Sequence, residues 1–147
     1  MGERRLFRSA QRVACFESAR TIYRDASDGA FAGDNCADAK DQASLNRCAD
    51  ASFRKSDKKL NALYKQIEAR LKDDADTKKL FVQAQQDWIK FRDAKCNFQA
   101  AGAAGGSMAP MLALMCRDSL TQPRVKNFEA CLNCREGDLS CPVPSTN

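Results

Sequence analysis

Histidine is absent from all 147 residues. Its absence removes Ser-His-Asp and Cys-His nucleophile systems and every histidine-ligated metal site. Long apolar runs are missing as well. In "MGERRLFRSAQRVACFESARTIYRDAS" nothing exceeds Val13 to Phe16, against the roughly 7 to 15 apolar residues of a secretory signal. Arg4-Arg5 resembles a twin-arginine start and Val13 to Cys15 a lipidation site, but neither has the apolar stretch it needs. An exporting segment is therefore expected elsewhere, or to have been removed or replaced, and no integral membrane segment is expected here. No stretch alternates with period two for long enough to make a strand. The net charge of +5 is spread among interspersed signs, without the concentrated basic stripe that nucleic acid requires.

What the chain does have is cysteine. Eight in so short a sequence point to an oxidising compartment and a disulfide framework, with 105 pairings open on paper. It also has helical periodicity. Between Ala39 and Lys72 there is neither glycine nor proline, and Leu60, Leu63, Tyr64, Ile67 and Leu71 recur at helical spacing. "DDAD" (residues 73 to 76) offers caps for a second helix, with Phe81, Ala84, Trp88, Phe91 and Phe98 along one face. Gly105 and Gly106 break it. A third helix opens near Ser107 as N-cap, with Pro110 tolerated in its first turn and Met111, Leu112, Met115 and Cys116 inside. Pro123 kinks or ends it, and a last helical stretch carries Val125, Phe128 and Leu132. The expected fold is all-α: three to four helices in disulfide-stapled antiparallel hairpins. Residues 34–147 form the helical domain with a disulfide-closed C-terminal tail, and residues 1–33 a poorly defined extension.

Cys96 and Cys116 have their midpoint at residue 106, inside the Gly-Gly turn. Residues equidistant from the turn of an antiparallel hairpin face each other, and the alanines between them let the backbones approach to the ~5.5 Å Cα separation of a disulfide. Closing that loop is worth roughly 3 kcal/mol in the chain-entropy model. Cys36 with Cys48 and Cys134 with Cys141 close short loops. Cys15 and Cys131 are left, paired together or free. "CLNC" plus Cys141 makes only three of the four ligands a structural zinc wants, and a thioredoxin-like redox motif would need a strand. The reading is a non-enzymatic protein without metal or cofactor.

Three stretches carry a family resemblance: "CADAKDQASLNRCADASFRKSDKKLNALY", "LFVQAQQDWIKFRDAKC" and "GGSMAPMLALMCRDSLTQPR". The ordered set Cys36, Leu45-Asn46, Cys48, Asp57, Leu60-Asn61, Tyr64, Ala84-Gln85, Trp88, Phe91-Arg92-Asp93, Cys96, Gly105-Gly106-Ser107, Cys116, Thr121 and Arg124 resembles the LprI-like lysozyme inhibitors. These are small helical, disulfide-bonded proteins of bacterial envelopes. The resemblance spans residues 36 to about 128. It implies a periplasmic or secreted protein that binds and inhibits lysozyme. The alternative is an envelope interaction or immunity module with a different protein partner.

Two groups of residues are candidates for a site. Arg92, Asp57, Asn46, Asn61 and Asp93 are polar on otherwise apolar helical faces. They make either a recognition site or, as expected here, a buried network in which Asp57 or Asp93 neutralises Arg92 and the asparagine amides cap it. Trp88, Phe91 and Tyr64 read as core. The Gly105-Gly106-Ser107 tip is narrow and flanked by methyl groups, a shape suited to a muramidase groove where two carboxylates act. Ser107 either donates to one of those carboxylates or caps its own helix.

Overall fold

The computed structural model describes Cys36 and residues 38–145. Three helices account for most of them: α1 (Gln42–Arg70), α2 (Ala75–Ala100) and α3 (Ala109–Leu132), with one 3-10 turn (Ala101–Ala103) between the last two. No strand occurs among the described residues. The architecture is all-α, with three α-helices among the described residues. Side chains fix where two of them begin. Asp41 accepts the Ser44 amide at 2.9 Å and Asp74 accepts the Thr77 amide at 3.0 Å, satisfying amides that have no partner within the helix. Hydrogen bonding holds both carboxyls below the usual carboxylate range.

Pro123 does not end the third helix; α3 runs through it to Leu132. Proline removes the donor for the carbonyl of Ser119, and Ser119 is an exposed residue. Nor does Ser107 cap α3. The capping position is Met108, and no side chain bonds the first turn there.

Helix α3 packs against both α1 and α2, and more extensively against α1. Leu60, Ile67 and Leu71 of α1 meet Val125, Phe128 and Leu132 of α3, and Val143 of the C-terminal tail closes the cluster. Each such side chain contributes about 1.5–3 kcal/mol through burial. Helices α1 and α2 touch through larger groups: Tyr64 stacks on Phe81 with centroids 5.1 Å apart. The guanidinium of Arg70 donates to the Leu132 carbonyl at 2.6 Å and so finishes α3.

The inward row of α2 is Phe81, Gln85, Trp88, Arg92, Cys96 and Ala100, a repeat of four and three residues. Phe91 and Phe98, expected on this face, lie off it and are 58% and 84% exposed. One residue of offset rotates a side chain by about 100°, and the polar Gln85 and Arg92 take the inner positions.

Cys36–Cys48, Cys96–Cys116 and Cys134–Cys141 are bonded, with Cα separations of 5.6, 5.4 and 6.1 Å. No cysteine is free among the described residues. Cys131 is disulfide-bonded too; a pairing with Cys15 lies outside the described residues. The Cys134–Cys141 bridge consumes two of the three sulfurs that a zinc site would draw on and one of the two in a Cys131/Cys134 redox pair.

Candidate functional site

The connection from α2 to α3 is exposed along most of its length. Gly105, Gly106, Ser107 and Met108 all face solvent, and no charged residue occurs from Ala100 to Leu114. Its backbone is braced internally. The Ala104 amide donates to Ala101 at 3.1 Å, that of Gly106 to Ala103 at 2.9 Å, and that of Ala109 to Gly106 at 3.3 Å. Gly105 adopts a φ of 78°, a conformation that glycine reaches without penalty.

Two ties hold the tip from outside. Cys96–Cys116 closes its base, with Cys96 fully buried. On one side, the Asn46 amide of α1 donates to the Ser107 carbonyl at 3.0 Å, and the Asn46 carbonyl accepts from Gln42 at 2.9 Å. Asn46 thus belongs to the tip rather than to the Arg92 network where sequence reasoning placed it. The working atom of Ser107 inside the fold is its carbonyl, which leaves the hydroxyl exposed for other partners.

The polar group around Arg92 forms a second feature. Arg92 is buried, and its guanidinium donates to Asp93 at 3.0 Å, to Asp57 at 3.1 Å and to Thr121 at 3.4 Å. It lies over the Phe53 and Trp88 rings, 5.1 and 5.3 Å from their centroids. Asn61 joins at the rim, donating to Asp57 at 3.1 Å from an exposed position. Arg117 of α3 approaches the same Asp93 oxygen at 3.5 Å. One arginine therefore links all three helices through its carboxylate and hydroxyl partners.

Two more buried polar groups went unassigned at the sequence level. Asp118, 3% exposed, accepts from Ser52 at 2.7 Å, Ser56 at 2.5 Å and Gln122 at 3.0 Å. The signal was present in Ser52 and Ser56, four residues apart on one side of α1, opposite one of the two acids on α3. Arg124 donates to the buried Gln85 at 3.1 Å and lies over Trp88 and Phe128. Burial lowers its pKa to about 10. Guanidiniums of α2 and α3 thus share the Trp88 indole.

The groups that this geometry gathers are polar and mostly paired with one another. They are hydroxyls, amides and guanidiniums paired to carboxylates, beside a braced neutral tip. Among the described residues no cluster of three or more acids, cysteines or histidines stands ready for a metal, and no helix is long and apolar enough to cross a membrane.

Comparison with known proteins places these features. No solved structure matches the chain. An uncharacterized protein from Rhizobium meliloti is 32% identical over 115 residues, covering 69% of this chain and 81% of that protein. The family described as lysozyme inhibitor LprI matches residues 33–128. That span holds all three helices up to Phe128, the tip and its ties, and the Arg92 network. The chain belongs to the LprI lysozyme inhibitor family.

Proposed function

We propose that this protein inhibits a lysozyme by seating the Gly105-Gly106-Ser107 tip, non-covalently, in the enzyme's substrate cleft. The observation that carries the reading is a tip that is at once exposed, uncharged and braced, by the Cys96–Cys116 bridge below and by Asn46 at the side. A segment already held in one conformation loses little freedom on binding, so most of its contact energy appears as affinity. The exposed Ser107 hydroxyl is a donor suited to a cleft carboxylate. Long-range attraction is not needed: typical lysozymes are basic, as the family implies, and this chain is also net positive. Residues 34–147 act as the inhibitory unit, with residues 1–33 as an extension to it, and the site of action is the periplasm or the exterior, where the disulfides persist.

The test is titration of c-type, g-type and i-type lysozymes with the protein and with tip variants. Gly102 is the cleanest place for a steric block, because a Cβ added there meets nothing within 4 Å. At Gly106 a new Cβ would come within 3.2 Å of the Ala103 carbonyl, and that neighbour would have to give. Folded Gly102→Trp and Gly106→Trp proteins are expected to lose inhibition. Ser107→Ala should weaken it by about 0.5–1.5 kcal/mol for one neutral hydrogen bond, and more for an ionised acceptor. Parent-like inhibition by both tryptophan variants would move the contact to a helical face. Absence of inhibition of all three lysozyme types by the parent would favour a different envelope protein as partner.

A further inference from the structure

The outer side of the α1–α2 pair combines two rows of residues that the interior does not use. On α2, Arg92 points to Asp57 of α1, and its neighbours in sequence project about 100° to either side. Asp93 pairs with Arg117 of α3, so Phe91 lies on the side away from α3. Phe98 and Leu80, seven residues on and eleven back, repeat that direction. These three are 58%, 84% and 71% exposed. They stand about 16 and about 10 Å apart along the helix.

On α1, Arg54, Lys58 and Lys65 line a shallow depression whose floor includes Phe53, beside Asp57 and Asn61. The antiparallel register set by Arg92–Asp57 and Tyr64–Phe81 brings Leu80 level with Lys65 and Phe91 level with Lys58. Asp57 is neutralised by Arg92 and Asp50 by Arg54, whereas Lys58 and Lys65 form no ion pair among the described residues. The face is therefore a row of protruding apolar side chains, interrupted by Asp87, whose charge Lys90 meets at 3.2 Å, beside a row of net positive charge.

We propose that this face docks the protein on an anionic phospholipid surface, with Leu80, Phe91 and Phe98 entering the headgroup boundary and Lys58 and Lys65 meeting the phosphates. Charge selects the occupant. A second copy meeting the same face would set lysine against lysine, while an anionic leaflet attracts each basic residue. Shape agrees. A partner helix seats its anchors in holes between paired walls, but the apolar groups here are isolated knobs, suited to a fluid medium that closes around them. The docking face is distinct from the tip, so a docked protein keeps the tip available.

The experiment is co-sedimentation of the full chain with vesicles of phosphatidylcholine alone and of phosphatidylcholine with phosphatidylglycerol, at low and at physiological salt. Binding is expected only to the anionic vesicles, and weaker as salt rises. Lys58→Glu with Lys65→Glu should reduce it roughly 25-fold or more, about five-fold for each basic charge removed. Leu80→Ser with Phe98→Ser should also reduce it, and both pairs are exposed, so folding checked by circular dichroism should be unchanged. Lys126→Glu, on an exposed position of α3, is the control and should have a far smaller effect than Lys58→Glu. Equal binding to neutral vesicles, no binding to anionic ones, or an equal effect of Lys126→Glu would each overturn the proposal. Capture of an acidic amphipathic peptide in place of vesicles would also overturn it, and would assign the face to a protein helix.

Discussion

Arg92→Ala isolates what the polar junction contributes. The change deletes three hydrogen bonds, two of them to carboxylates, and the packing of the guanidinium over Phe53 and Trp88. Bonds to charged groups contribute about 1.5–3 kcal/mol each. The partner side chains decide where in that range to stand: Asp57 is 34% exposed and Asp93 41%. Both carboxylates rehydrate once the arginine is gone, so the low end applies, about 3 kcal/mol for the pair. The vacated volume beneath Trp88 brings the total to the lower part of the 3–5 kcal/mol seen when a buried pair loses one member. Arg92→Met restores much of that volume and should recover about half of the loss. Urea unfolding followed by far-UV circular dichroism would show a lower midpoint at unchanged slope, and the melting temperature should fall by ~12 °C or more. A variant that melts like the parent yet no longer inhibits lysozyme would refute this reasoning and make Arg92 a recognition residue.

Asp118→Ala leaves the Ser52 and Ser56 hydroxyls and the Gln122 amide without their shared acceptor, so urea titration should show a loss of about 1–3 kcal/mol. Cys96→Ser with Cys116→Ser frees a loop of sequence separation 20 and should cost about 3 kcal/mol by the same measurement, with inhibition weakened as the tip loses its base. Asp41 and Asp74 have lowered pKa values in the folded state. Their stabilisation is present above the unfolded value of 3.8 and disappears as pH falls through the lower folded value. Helix content should therefore drop in acid below pH 3.8, and Asp41→Asn with Asp74→Asn should flatten that dependence. Gly105→Ala forces a side chain onto a φ of 78° and should lower the melting temperature by several degrees, for a penalty on the order of 1 kcal/mol.

Much of the architecture was legible because its causes are local. The spacing of Leu60, Tyr64, Ile67 and Leu71 demands a helix, Asp74 and the residues around it provide a cap, and a midpoint at residue 106 brings Cys96 to Cys116. What sequence reasoning missed depends on rotation and on partners far along the chain. Phe91 and Phe98 look like core beside Trp88, but the inner row goes through Gln85 and Arg92, whose partners lie 39 and 35 residues away in sequence. Asn46 was grouped with Arg92 by its polarity alone, whereas it bonds Ser107, 61 residues on. Pro123 looked like a break because its ring removes a hydrogen bond; packing of α3 between two neighbours outweighs that local loss. Charges that alternate along the chain are sorted by the helix into a positive row on α1, which composition cannot reveal.

Trp88 is the chain's single tryptophan, and its ring is flanked by guanidiniums carried on α2 and α3. Its fluorescence is consequently a built-in reporter of one event, the meeting of these helices. Circular dichroism counts helical turns whether or not they touch. A reduced or acid-treated protein that keeps its helical spectrum while the indole emission moves to the red would have come apart at this junction with its secondary structure intact.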